Sequence, residues 1–201
     1  MKHLPKLFIE TTVFNFYFEG KQGQKQKAAI RLFDKIAKGR YEAYTSEAVI
    51  NELKKAPEEK REQMMALSVK YIKDVIGTSA EAENLAKTYI EKSVIPKKYL
   101  TDALHIAIAT VNNFDFVISC NQGHIVKTKT MIGTGFVNLR QGFRQIGLGT
   151  PTTGCLMAGQ CPEIQILLFG IIKEQRVGAA LFHFPGNFHH YRNVPQCPEN
   201  T

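Results

Sequence analysis

The chain has 201 residues, 44% of them hydrophobic, enough to bury the core of one domain with an appendage, which excludes a disordered chain. Its 26 basic residues outnumber 18 acidic ones, and three of each sign lie beyond residue 151, so the net charge of +8 belongs to residues 1–151. A basic body points to an anionic partner, with nucleic acid, an acidic protein and a plain solvated surface all open on charge alone.

Residues 6–9 form a short apolar strand that runs into Glu10-Thr11-Thr12. The aromatic stretch with Phe14, Phe16 and Phe18 follows, and Gly20 and Gly23 punctuate it. Such alternating aromatics beside a strand fit the core better than base stacking. From residue 24 to 38 the period becomes helical, with Ala29, Leu32, Phe33, Ile36 and Ala37 on one stripe and Gly39 as the stop. Residues 41–44 are a second strand. Ser46 then opens a helix carrying Val49, Ile50 and Leu53 inward, and Pro57 interrupts it.

Residues 58–75 read as one or two further helices. Ser79 caps a helix over residues 80–92, and Pro96 separates it from a strongly helical segment at 100–112. Residues 114–119, apolar but for Asp115 and Ser119, are a run of buried-strand length. A helix over 123–141 and a last strand at 143–148, ending before Pro151, complete the body. Strands alternating with helices predict an α/β fold on a mostly parallel sheet.

The tail differs. It carries Cys155, Cys161, Cys197, His183, His189 and His190, with no two at zinc-finger spacing, and is expected to be a loosely ordered extension. Its apolar run at 164–172 is far too short to span a bilayer. No basic stretch leads into an apolar one at the start, and four cysteines give neither a disulfide framework nor a CxxC motif. The expected compartment is a reducing cytoplasm, away from membranes.

Four segments place an acid or amide where a strand ends or a helix begins: Glu10, Glu52, Asp102 and Asn121. Ligands gather at the carboxyl ends of parallel strands, which puts Glu10 and Asn121 on the functional edge. Brought together, the four make an oxygen-only cup, suited to Mg²⁺ or Mn²⁺ and to neither zinc nor iron. On a basic chain the matching substrate is a phosphodiester. Each residue also has a plainer use. Glu10 and Asp102 can cap helices, Glu52 can be a solvated helix residue, and Asn121 can be an N-cap. His105 shares a helix face with Asp102 and reads as a packed, hydrogen-bonded histidine; His124 is left open.

These segments resemble the PIN-domain family, in particular the VapC-like toxin ribonucleases of type II toxin–antitoxin systems. Phe8-Ile9-Glu10-Thr11-Thr12 resembles the first motif, and Thr45 through Leu53 the second. Asp102-Ala103-Leu104-His105-Ile106-Ala107-Ile108-Ala109 resembles the third and most specific. Phe116 through Asn121 occupies the place of the fourth. The likeness covers residues 5–151 in order and spacing; residues 152–201 show none. Glu10 stands where the family usually has Asp, and Asn121 replaces an acid.

The resemblance implies a three-layer PIN-like fold, a central mostly parallel sheet flanked by helices. It implies an Mg²⁺- or Mn²⁺-dependent endoribonuclease with Glu10, Glu52 and Asp102 as metal ligands and Asn121 as an auxiliary catalytic residue. Thr11 and Thr12 would touch substrate, and Lys97, Lys98, Lys127 and Lys129 would steer RNA. The implied partners are RNA, an antitoxin protein and a second copy in a homodimer. The alternative is a catalytically weak PIN-like module that binds RNA or protein.

Overall fold

Leu7, Phe8 and Ile9 have no solvent exposure on either side of their strand, so this segment lies at the centre of a sheet covered on both faces. The computed structural model describes residues 4–20 and 23–156, and these fall in one compact unit. In chain order the elements are β1 (Lys6–Ile9), α1 (Thr11–Tyr17), α2 (Gln24–Ala37), β2 (Glu42–Ser46), α3 (Glu47–Leu53) and α4 (Glu58–Tyr71). Then come β3 (Asp74–Ile76), α5 (Ala80–Glu91), a 3₁₀ turn at Lys97–Tyr99, α6 (Leu100–Val111) and β4 (Phe116–Ile118). The last three are α7 (Thr128–Arg140), β5 (Gly147–Gly149) and α8 (Pro151–Leu156).

The described strands form one sheet in the order β3-β2-β1-β4-β5, parallel at every pairing. Leu7 pairs with Ala43 on one side and Phe116 on the other. The chain steps outward from β1 to β3, then returns to β4 and steps the other way to β5. Right-handed crossovers therefore put α1–α4 on one face and α5–α7 on the other. The packing agrees: α1, α2, α3 and α4 contact one another, and α5 packs on α6 and α7. This is the three-layer α/β arrangement expected from the sequence.

Local chemistry sets the element ends. Gly39 takes φ +66° and closes α2, its N–H reaching the Ile36 carbonyl at 2.9 Å. Ser79 caps α5 through the Ala82 N–H, as its sequence predicts. Gly147 lets β5 approach β4, since a Cβ there would sit 2.2 Å from the Phe116 ring. The aromatic stretch after Glu10 has no predicted element, and three expectations elsewhere need adjustment. Residues 11–17 are helical, with Phe14 buried against Phe33. The end of the 58–75 segment is strand β3. The stretch before Thr128 is turn instead of helix, and the last strand is only Gly147–Gly149.

The boundary expected at residue 151 falls at the start of α8, which packs against α2. The tail expectations for residues 157–201 lie outside the described residues. Among the described residues, no helix is long and apolar enough to cross a membrane.

Candidate metal centre

The sheet reverses its winding between β1 and β4, and in open α/β sheets the crevice at that switch point is the ligand site. Glu10 follows β1 directly. Its backbone is extended, its N–H donates to the Ile118 carbonyl at 3.1 Å, and its side chain caps α1. Oε2 accepts from the Thr12 N–H (3.1 Å), the Thr12 hydroxyl (2.5 Å) and the Ser119 hydroxyl (2.8 Å). Ser119 follows β4; its N–H reaches the Gly149 carbonyl at 2.9 Å, and its Oγ accepts from the Asn121 N–H at 2.9 Å. Thr12 Oγ1 also accepts from the Cys120 N–H at 2.8 Å. The ends of three strands are thereby latched around one carboxylate, which is only 4% exposed.

Glu52 arrives from α3, in the same helical layer as α1. Ser46 caps α3 through the Val49 N–H, and the Thr45 hydroxyl ties β2 to β1 at the Ile9 carbonyl, 2.9 Å away. One turn on, half-buried Glu52 accepts from the Thr11 hydroxyl and faces His105 Nε2 at 3.6 Å. Burial pushes its carboxyl up, but His105 and Thr11 outweigh burial and leave it below the usual value.

Asp102 sits in the first turn of α6. The helix is preceded by Tyr99 without a side-chain cap, so Asp102 does not cap it. The Asn121 amide donates to Asp102 Oδ2 at 3.4 Å. Burial raises the Asp102 carboxyl above its ordinary value and the nearby Glu10 charge adds to this; His105 and His124 pull the other way. His124 stacks on Tyr99, their centroids 3.7 Å apart. Asn121 does not cap α7, which begins at Thr128.

His105 is packed as expected, at 1% exposure. It is also part of the centre. One ring nitrogen of His105 and one carboxylate oxygen each of Glu10 and Glu52 lie within 4.8 Å of one another. Among the described residues its buried Nδ1 has no hydrogen-bond partner, a state that costs about 1–3 kcal/mol if nothing satisfies it. The sequence signal was its place three residues after Asp102, on the same helical face. What it could not show is that α6 turns this face toward β1. Asp102 stands outside the trio of Glu10, Glu52 and His105, tied instead to Asn121. The hydroxyls of Thr11 and Thr12 are engaged in holding the two glutamates.

Fold and site together define a doubly wound α/β domain with a cluster of acids, joined by one buried histidine, at its switch point. No family model matches the chain, and no curated protein matches it. Several solved chains are similar in backbone, two of them as follows. One is VapC20 of Mycobacterium tuberculosis, a toxin that cleaves the sarcin–ricin loop: 15% identity over 55% of this chain and 86% of that one, TM-score 0.42. The other is VapBC2 of Rickettsia felis, bound to a DNA fragment from their promoter: 14% identity over 72% of this chain and 98% of that one, TM-score 0.46. Likeness at this level speaks to neither substrate nor chemistry.

Proposed function

We propose that residues 5–151 form a PIN-like endoribonuclease that hydrolyses RNA phosphodiester bonds with Mg²⁺ or Mn²⁺, the toxin half of a toxin–antitoxin pair. The observation that carries this reading is the meeting of Glu10 and Glu52 with His105 at the switch point of a parallel sheet, with Asp102 near enough to feel both glutamate charges. Asp102 feels both glutamates, and such mutual repulsion fits a site built to hold a cation. Carboxylate oxygens are the donors that hard divalent ions take.

In this proposal Glu10, Glu52 and Asp102 hold the ion, and Asn121 orients Asp102. Thr11 and Thr12, read from the sequence as substrate contacts, aim the two glutamates. When bound, the ion supplies charge neutralisation at the phosphoryl group and a more acidic water. Exposed Lys97, Lys98, Lys127 and Lys129 steer the backbone of the RNA. An antitoxin covering the acids and a homodimer are the partners this reading expects, in the cytoplasm.

The deciding experiment is cleavage of a mixed RNA pool by wild type and Asp102→Asn, with Mg²⁺ or with EDTA. Cleavage that needs both metal and Asp102 supports the proposal. A folded Asp102→Asn variant that cleaves at the wild-type rate sinks it. One observation favours a second reading as a binding module: Asn121 brings no charge to the site and turns its amide N–H to Asp102. That reading expects RNA binding with a steep salt dependence and no turnover under any metal.

A further inference from the structure

His105 is a nitrogen donor in a place where oxygen donors were expected. Three ligands spaced evenly around one divalent ion lie at most about 3.6 Å apart when each bond is about 2.1 Å. The ligand atoms of Glu10, Glu52 and His105 lie within 4.8 Å of one another, so a side-chain closure of about an ångström brings all three to one ion. The imidazole is 1% exposed, its Nε2 faces Glu52 Oε2 at 3.6 Å, and its Nδ1 has no hydrogen-bond partner among the described residues. A ring used only to pair with Glu52 would do so better at hydrogen-bond distance than at 3.6 Å. Glu10 is held on Oε2 by Thr12 and Ser119, and Glu52 on Oε2 by Thr11. Both carboxylates are thus fixed in orientation by neighbouring hydroxyls, as ligands are by an outer shell.

We infer that His105 supplies a nitrogen ligand to a divalent ion shared with Glu10 and Glu52, and that this mixed donor set selects Mn²⁺ and its transition-metal neighbours over Mg²⁺ and Ca²⁺. The inference deepens the proposed function and rests on it only for the presence of a cation. Magnesium and calcium take oxygen almost alone, whereas an imidazole favours the first-row transition ions in the order Mn²⁺, Fe²⁺, Co²⁺, Ni²⁺. Asp102, tied to Asn121, completes the site from outside the trio.

The test is direct binding of metal ions to the full chain, read by calorimetry and by pulsed electron paramagnetic resonance of bound Mn²⁺ with ¹⁵N-labelled histidine. The expected result is a nitrogen coupling that changes with the isotope and disappears in His105→Gln. Wild type should bind Mn²⁺ about tenfold or more tightly than Mg²⁺, and the variant should lose most of that ratio. Saturating Mn²⁺ without nitrogen coupling overturns the inference, as does a Mn²⁺ to Mg²⁺ preference equal in wild type and variant. If His105→Gln does not fold, the isotope-labelled wild-type spectrum decides alone. RNA cleavage by the same preparations separates the two readings. Nitrogen coupling without cleavage sinks the nuclease and keeps the site; Mg²⁺-driven cleavage without coupling does the reverse.

Discussion

The Ser119 hydroxyl donates to Glu10 Oε2 at 2.8 Å, joining two residues 109 positions apart across the ends of β1 and β4. Ser119 has no exposure, so no water can replace that donor in place. Ser119→Ala is therefore expected to cost about 1–3 kcal/mol in urea unfolding. It should also weaken Mn²⁺ binding, since Glu10 loses one of its three anchors. Unchanged stability and unchanged metal affinity together would show that this bond does not orient Glu10.

Tyr89 and Asn138 form a second buried relationship, between α5 and α7. The Tyr89 hydroxyl donates to Asn138 Oδ1 at 2.5 Å, and burial pushes the phenol up to about 12. Asn138 is fully buried, so Tyr89→Phe leaves its carbonyl oxygen without that donor. A loss of about 1–3 kcal/mol in urea unfolding is expected, with the metal centre unaffected.

Glu42 and Lys73 tie β2 to the entry of β3 at the sheet edge, with the Tyr44 hydroxyl on the same carboxylate. The hydrogen bond from Lys73, then that from Tyr44, hold the Glu42 carboxyl below its ordinary value of 4.5. The folded state thus binds the proton less readily than the unfolded one. Its contribution is present above that value and is lost as pH falls through the folded one. Unfolding of wild type and Glu42→Gln across pH 3–7 should show a small advantage for wild type at neutral pH that closes in acid. Because Lys73 is largely exposed, the advantage should also shrink in high salt.

Cys120 lies beside the centre with 4% exposure, and burial, then the Glu10 charge, push its thiol up to about 12. A thiol so placed holds little thiolate at neutral pH. Iodoacetamide at pH 8 should leave it unmodified in the native protein and label it in urea. Peptide mass spectrometry distinguishes it from Cys155, Cys161 and Cys197. Rapid native labelling would show that this edge of the sheet opens.

Much of this architecture was legible before the structure. The unbroken apolar runs of β1 and β4, the stripe on α2 and the Ser46 and Ser79 caps all carry local signals strong enough to survive packing. Strand β3 carries none: Asp74 and Val75 are exposed, and only pairing with Thr45 and Ser46 makes the segment a strand. The aromatic residues after Glu10 become helical because Glu10 caps them, which outweighs an alternation that suits no element in particular. At the site, the four acids and amides were readable from spacing. The nearness of His105 to Glu10 was not, because it depends on how α6 sets against the sheet.

The pairing of the first strand with the fourth has a consequence for synthesis. A nascent chain that has left the ribosome only as far as Asp115 possesses Glu10, Glu52, Asp102 and His105, yet β1 has an open edge where Phe116–Ile118 belongs. The hydroxyl of Ser119 is also still to come. Truncated products ending before that point carry every charged member of the centre without the strand and the latch that align them. They should lack the aligned cluster and, with Leu7–Ile9 uncovered on one side, be prone to aggregate.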